Sequence, residues 1–380
     1  MLRYHPERYR HSRLYNKQLV NYFRSHVSDG MPSLEQLNEV ARLIMKKYNE
    51  DVRELPFEKR PADTRLISKE INYAIHYAVF AVHGRNIFHF EPEMIEQFRQ
   101  TDIDEVPVSA LSFPYKSFYM SFGKQTDLDL WGEGNFVDGA YISVLPGVRL
   151  QIILSTIRHD VDYRDRTNWI TNPDRYYYLP LTLDRPDVSV ATVVAEALEE
   201  EIQSRDMSDL PDQSGVYEID GRSIEVRDNK HHSSKLEAAE IREGFDVFKE
   251  ALRLVINGLC YITSYMDNTE ERWPDDTPKE LLERLSKATN KSSRQKALAE
   301  LLSRGYSKVK FCGKHTASDR ITVVPTCREL NAHWRRGHWR NQACGPELKE
   351  RKLIWIMPVL VRQDKGWPEQ GRIYSVEEKI

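Results

Sequence analysis

The sequence is poor in cysteine and has no long apolar run. Four scattered cysteines in 380 residues cannot make a disulfide framework, so we expect a reducing cytoplasm. No stretch approaches the roughly 20 apolar residues of a membrane helix, so no membrane partner is expected. The N-terminus, MLRYHPERYRHSR, is basic and aromatic without an apolar stretch behind it. This pattern argues against a secretory signal and is consistent with a short basic arm.

Charge is distributed unevenly along the chain. The net charge is -3, but residues 304–362 contain 13 Lys/Arg against 4 Asp/Glu, a balance of +9 that leaves -12 on the remainder. A basic block on an acidic body suggests an anionic partner for the block. The alternative is that block and body neutralise each other by packing together.

The spacing of apolar residues predicts an α+β fold. A capping box at 33–36 and the apolar stripe after it indicate one helix, and a second is expected from about 69 to 84. Past residue 110, apolar and polar residues alternate in short segments bounded by glycine and proline, which predicts an antiparallel meander. The stretch 236–265 is the strongest helical segment and is apolar enough to be buried.

These segments divide the chain into four regions. We expect a helical N-terminal region at 1–109 and a central body at 110–268, with an antiparallel sheet and the buried helix. A charged linker with a polar helix follows at 269–303, and a small, basic, β-rich C-terminal unit at 304–380 completes the chain.

A dense charged and aromatic motif, HWRRGHWR, runs from His333 to Arg340. Arginine presents a planar fork to phosphate or carboxylate, and tryptophan can stack on a base. In an extended segment His333, Arg335 and Trp339 would share one face. The apolar strand that follows would anchor the motif to a small sheet. The predicted nucleic-acid or anion site comprises His333, Arg335, Arg336, His338, Trp339 and Arg340.

Three other interpretations of this motif stay open. The arginines could cross-brace the acidic body, with both tryptophans in the core. A ribonuclease could use His333 and His338 as acid and base, with Arg335 or Arg336 on the phosphate. Zinc is a weaker candidate, because the chain has no paired Cys-x-x-Cys, and we predict no metal. The zinc ligands would come from Cys312, His315, Cys327, His333, His338 and Cys344.

The motif resembles the C-terminal signature of a family of phage and plasmid proteins. The shared pattern is His-x-Arg-Arg-Gly-His-Trp, then a glycine, then an apolar strand containing proline. The best-known members are the type V-A anti-CRISPR proteins, which prevent production of the Cas12 effector nuclease. Cys344 lies outside the pattern, which weakens the zinc interpretation. The residues that fall on the pattern are His333, Arg335, Arg336, Gly337, His338, Trp339, Gly345 and Pro358.

The resemblance implies an interaction protein rather than an enzyme, without a cofactor, acting in the cytoplasm of a bacterial host. It would bind the N-terminal peptide of a nascent CRISPR effector and lower the effector mRNA. Gly337, Gly345 and Pro358 would have structural roles. We expect the acidic body to hold the peptide and the basic block to face ribosomal or messenger RNA. The alternatives are a general nucleic-acid-binding protein of a phage or plasmid, and a small metal-independent ribonuclease centred on His333 and His338.

Overall fold

The computed structural model describes residues 4–27, 32–54, 65–132, 134–147, 149–163, 165, 176–205, 215–219, 222–226, 238–239, 241–275, 277–304, 306–313 and 333–361. The helices of these residues are α1 (His5–His11), α2 (Lys17–His26), α3 (Leu34–Arg53), α4 (Arg65–Val82), α5 (Pro92–Arg99), α6 (Val190–Arg205), α7 (Phe245–Tyr265), α8 (Lys279–Ser286) and α9 (Lys291–Ser303).

The strands divide between one large sheet and three small ones. Those of the large sheet are β1 (Asn86–Phe90), β3 (Ser117–Ser121), β4 (Asp129–Leu130), β5 (Asn135–Leu145), β6 (Arg149–Arg158), β7 (Tyr177–Thr182), β10 (Thr269–Arg272) and β11 (Val309–Cys312). Those of the small sheets are β2 (Thr101–Asp102), β8 (Gly215–Ile219), β9 (Arg222–Val226), β12 (His333–Arg335), β13 (Gly337–Cys344), β14 (Glu350–Ile356) and β15 (Val359–Val361).

The α+β class is confirmed, and the large sheet is mixed rather than wholly antiparallel. Its strand order is β10-β11-β1-β3-β5-β6-β7, with β4 paired to β5. The expected meander is present, since β3, β5, β6 and β7 pair antiparallel. Strand β1 instead pairs parallel with both β3 and β11. Parallel neighbours need a crossover connection, and the chain from β1 to β3 includes α5.

Both faces of the large sheet are buried, and side chains alternate between them as strand geometry requires. In β1, Phe88 and Phe90 belong to the core under α7, whereas Ile87 belongs to the core under α1–α4. The sheet therefore lies between a layer formed by the N-terminal helices and a layer that contains α6 and α7. Helix α7 is the predicted buried helix, with Leu252, Val255 and Leu259 at most 1% exposed.

Segments that were predicted to belong to different regions of the chain form one sheet in the structure. Strand β1, from the predicted helical region 1–109, lies in the middle of the sheet. Strands β10 and β11, from the predicted linker and the predicted C-terminal unit, continue the same sheet. The boundaries placed at 109, 268 and 303 therefore run through one sheet, because its parallel pairings join strands far apart in sequence.

The N-terminal segment is not a projecting basic arm. The first five residues of α1, His5 to Tyr9, and the preceding Tyr4 are all buried, and of these Tyr4, His5, Glu7, Arg8 and Tyr9 are at most 2% exposed. The segment is buried because its aromatic side chains pack in the core on the N-terminal side of the sheet.

Candidate functional site

The Arg/His/Trp motif folds as two strands that belong to different sheets. β12 pairs antiparallel with β15, and β13 pairs antiparallel with β14. The chain leaves the strand conformation at Arg336, between them. The prediction that His333, Arg335 and Trp339 share one face required a continuous strand. The strand is interrupted, and Arg335 is exposed whereas Trp339 is buried, so these two residues do not share a face. We call β13, β14 and their turn (337–356) the motif hairpin.

Gly337 begins the hairpin at a position where only a hydrogen fits. A Cβ atom there would lie 2.7 Å from Pro358 Cδ and 2.8 Å from the Ile356 carbonyl oxygen. The Gly337 amide donates to the carbonyl of Gln100, at 2.8 Å. The glycine and the proline of the motif are therefore in contact, and their packing brings β13 against the chain that follows β14.

Gly345 begins the turn between the two hairpin strands. Its φ of +73° lies in the left-handed region, which L side chains rarely adopt. Glu347 and Leu348 also have positive φ, at 55° and 57°. The turn is thus built from unusual backbone conformations, and glycine removes the cost at its first residue.

A pair of buried tryptophans attaches the hairpin to the body. The ring centroids of Trp339 and Trp355 lie 5.6 Å apart with 15° between their planes. Trp339 Nε1 donates to Asn257 Oδ1 at 2.7 Å, and Trp355 Nε1 donates to Thr101 Oγ1 at 3.1 Å. Trp339 is 1% exposed, so its ring cannot stack on a base here. The structure corrects its predicted place in the binding site and gives it an anchoring contact.

The residues that receive the hairpin were missed in the sequence. Asn257 is fully buried in α7 and donates to the carbonyl oxygens of Phe98 (3.2 Å) and Arg253 (3.1 Å). Arg253 in turn donates to the carbonyl of Thr101 at 3.1 Å. A single amide inside the apolar run LVINGLCYI was the available signal, because a buried polar side chain needs partners.

Strand alternation fixes what the hairpin shows to solvent. Because Trp339 points inward, His338 and Arg340 on either side of it point outward and are exposed. Arg335 and Arg336 are exposed as well. We call Arg335, Arg336, His338 and Arg340 the basic surface. It comprises four of the six residues predicted for anion binding.

The basic surface lacks the neutralising contacts found elsewhere in the basic block. Lys308 and Lys310 are 3.3 and 3.4 Å from Glu271 oxygens. In the part of the chain that the structure describes, no salt bridge joins Arg335, Arg336 or Arg340 to a carboxylate. Cross-bracing therefore accounts for one part of the block and, within these residues, not for the motif arginines.

Other side chains complete the outward face of the hairpin. Register places Ile356 opposite His338 and Ile354 opposite Arg340. Lys352 is exposed on the same face, opposite Gln342. Ile356 is 37% exposed. The face thus combines cations with aliphatic side chains.

The histidines of the ribonuclease alternative lie in separate strands. His338 is exposed in β13, where it pairs with Ile356 of β14 and Asp102 of β2. His333 begins β12, and the described residues do not include its side chain or that of Trp334. The role of His333 and His338 as an acid–base pair stays a prediction.

The cysteines and histidines considered for zinc are only partly described. Burial raises the pKa of the Cys312 thiol well above its ordinary value, which disfavours the thiolate that a metal needs. Cys344 is half-buried, and His315 and Cys327 lie outside the described residues. Among the residues that are described, no group of three or more His, Cys, Asp or Glu side chains is arranged to hold a metal ion.

No described helix is both long enough and apolar enough to cross a membrane.

Comparison with known proteins identifies the chain. No curated protein sequence matches it. A crystal structure of AcrVA2 is similar at 15% sequence identity with a TM-score of 0.36, covering 91% of this chain and 92% of that one. The model of the AcrVA2-like family matches residues 88–363, nearly three quarters of the chain, and this range includes the motif hairpin and all of the large sheet except Asn86 and Ile87. The chain therefore belongs to the AcrVA2-like family, the anti-CRISPR type V subtype A2 family.

Proposed function

We propose that this anti-CRISPR protein blocks production of a type V CRISPR effector. In this proposal the acidic body recognises the N-terminal peptide of the nascent effector, and the basic surface contacts ribosomal or messenger RNA. The effector mRNA is lowered as a result. Family membership supports the anti-CRISPR role, and the geometry of the motif supports the contact with RNA.

The observation that supports this proposal most is that the motif arginines are exposed while Trp339 is buried. Arg335, Arg336 and Arg340 reach solvent without a described carboxylate partner. Guanidinium groups bind phosphate through paired hydrogen bonds and stay charged at any physiological pH. Several such groups on two successive strands and the residue between them suit a polyanion better than a small ligand.

The buried side of the hairpin supports the same assignment. The Trp339–Trp355 stack and the bond from Trp339 to Asn257 hold β13 on α7. Because alternate residues of a strand face opposite ways, this anchor keeps His338 and Arg340 directed outward. Binding groups held on a regular element lose less conformational entropy when a ligand arrives.

A reporter in bacterial cells tests the proposal. Its first codons would encode the N-terminus of a type V effector, fused to a fluorescent protein, and reporter mRNA and fluorescence would both be measured. We expect the wild-type chain to lower both and the Arg335→Ala/Arg336→Ala variant to lose most of the effect at equal abundance. The control is Arg42→Ala/Arg284→Ala, which removes two other exposed arginines (61% and 60% exposed) in α3 and α8.

The outcomes separate the parts of the proposal. Repression that persists in the Arg335→Ala/Arg336→Ala variant would show that the basic surface is not involved. Repression that is unchanged when the effector codons are replaced would show that the nascent peptide is not recognised. Loss of effect in the control variant as well would indicate a general dependence on charge.

A further inference from the structure

Helix α1 places polar and charged side chains where a core would normally hold apolar ones. His5, Glu7 and Arg8 are each at most 1% exposed, and the flanking Tyr4 and Tyr9 are also buried. The helix lies on the face of the large sheet that α2–α4 also cover, against β3, β5 and β6. We call its surroundings the α1 slot, formed by Tyr73, Tyr119, Asp138, Tyr141 and Ser155.

Arg8 lies in the slot and forms an ion pair with Asp138, which is also hydrogen-bonded by a neighbouring serine. Arg8 donates to Asp138 Oδ2 at 2.5 Å, and the pair is 0% and 4% exposed. The other oxygen of Asp138 accepts from Ser155 Oγ at 2.7 Å. Asp138 lies where the β5–β6 register shifts, and such a bulge re-aims a side chain. The guanidinium carbon of Arg8 lies over the ring of Tyr163, 5.0 Å from the ring centroid.

A histidine three residues earlier has its own place in the slot. His5 shares a hydrogen bond with the Tyr141 hydroxyl at 2.9 Å. Its ring stacks on Tyr73, with centroids 4.9 Å apart and 19° between planes. His5 and Arg8 lie on neighbouring turns of one helix face, so a single short segment makes both contacts at once.

This arrangement resembles the recognition of a ligand more than ordinary packing. A buried ion pair is not a favourable way to close a sheet face, since apolar side chains of similar volume stabilise as much or more. What the pair provides is selection for one residue type at one position. The slot residues Tyr119, Asp138, Tyr141 and Ser155 fall within the family match at 88–363, whereas α1 precedes it.

We propose that the α1 slot is a peptide-binding site and that α1 occupies it in cis. Its ligand class is a short basic, aromatic segment in which a histidine or aromatic residue precedes an arginine by three positions. A segment of this class from another protein would enter in trans when α1 leaves. This inference deepens the proposed function, on which it rests for the identity of the trans ligand, because it gives the effector peptide a location.

The test uses the full chain and a fluorescent peptide of residues 1–13. In Arg8→Ala the slot keeps Asp138 and loses the group that fills it, so we expect this variant to bind the peptide at least tenfold more tightly than the wild-type chain. Arg8→Ala/Asp138→Asn should bind no better than wild type. A peptide carrying Arg8→Ala is the matched control and should not bind. Equal affinity in all combinations would overturn the proposal.

A second version covers the case in which Arg8→Ala does not fold. A protease recognition site inserted between Arg13 and Leu14 of the otherwise wild-type chain would be cut after folding, so that both pieces are present. We expect the released segment to stay bound and to exchange with excess labelled peptide, and Asp138→Asn to lose it. A segment that never exchanges is permanent core, and a segment that leaves without replacement has no site; either result would overturn the proposal.

These measurements involve neither an effector nor RNA, so their failure is distinct from failure of the proposed function. If the chain's own peptide binds and an effector N-terminal peptide does not, the slot is a binding site and the assignment of the effector peptide to it fails.

Discussion

Trp339 and Trp355 face each other across the motif hairpin with their rings nearly parallel and 5.6 Å apart. Both indole N–H groups are satisfied by side chains of the body. The motif is therefore amphipathic at the level of single residues, with an anchor facing inward and cations facing outward. Mutations of the anchor and mutations of the cations should therefore have different effects.

Trp339→Ala should destabilise the protein strongly. Removing a buried tryptophan costs about 3–5 kcal/mol through lost burial and the cavity left behind. Trp339→Phe keeps an aromatic ring but leaves the side-chain amide oxygen of Asn257 (Oδ1) without its donor, at a cost of about 1–3 kcal/mol. Urea denaturation measures both values. A loss below about 1 kcal/mol for Trp339→Ala would show that the hairpin does not depend on this anchor.

Gly337→Ala and Gly345→Ala should both destabilise the motif hairpin, although only Gly345 has a positive φ. A methyl group at Gly337 meets the backbone of Ile356 and Pro358, which cannot move without displacing the strand, and such overpacking costs about 1–3 kcal/mol. At Gly345 the nearest atoms belong to the flexible Glu350 side chain. The main cost there is the backbone itself, because φ 73° with ψ -177° is a conformation essentially confined to glycine and costs other residues about 1–3 kcal/mol. Hydrogen exchange of hairpin amides would measure both variants, and unchanged protection in Gly337→Ala would contradict the packing of Gly337 on Pro358.

The Arg8–Asp138 pair predicts strong coupling between two positions 130 residues apart. Arg8→Ala or Asp138→Ala alone should cost about 3–5 kcal/mol, because each leaves a buried charge without its partner. The double variant should cost clearly less than the sum. A double-mutant cycle in urea gives the coupling energy. Additive effects would mean that the two side chains do not interact in solution.

Two buried histidines predict a loss of stability in mild acid. Burial lowers the pKa of His76 to about 3, and burial together with nearby Arg8 lowers the pKa of His5 well below 6.5. Below pH 6.5 the unfolded chain binds protons that the folded chain does not. The stability is therefore complete above pH 6.5 and falls as the pH drops from there toward 3, by about 1 kcal/mol per pH unit for each histidine.

Urea midpoints measured at pH 7, 6 and 5 would show this dependence. His76→Phe removes one of the two groups and should reduce the slope by about half of the histidine contribution. A slope that is identical in His76→Phe and the wild-type chain would mean that His76 is accessible to protons in the folded state.

Local patterns in the sequence predicted much of the fold. The capping box at Ser33 is present, with Gln36 as its second partner, and the buried helix expected within 236–265 is α7. These features depend on neighbours within a few residues. The parallel placement of β1 does not, since its partners β3 and β11 are set by packing across the whole chain.

The same distinction applies to the candidate site. Alternation within β13 correctly separates Gly337 and Trp339 from His338 and Arg340. Which of the two faces is buried depends on Asn257, 82 residues earlier, and no spacing inside the motif contains that information. The interruption at Arg336 lies next to the contact between Gly337 and Pro358, which joins residues 21 positions apart. The family resemblance, which the residues of the motif first indicated, is confirmed by the match over 88–363.

The most direct test of the basic surface is the salt dependence of RNA binding. The dissociation constant of the full chain for a labelled single-stranded RNA would be measured between 50 and 300 mM salt, with Arg335→Ala/Arg336→Ala and the Arg42→Ala/Arg284→Ala control beside it. Each phosphate contact on a single strand contributes roughly 0.7 to the slope of log affinity against log salt. We predict weaker binding and a slope smaller by about 1.4 for Arg335→Ala/Arg336→Ala, with unchanged stability and a control that behaves as wild type. Unchanged affinity and slope in a variant that unfolds more easily would contradict the account, because the arginines would then be structural.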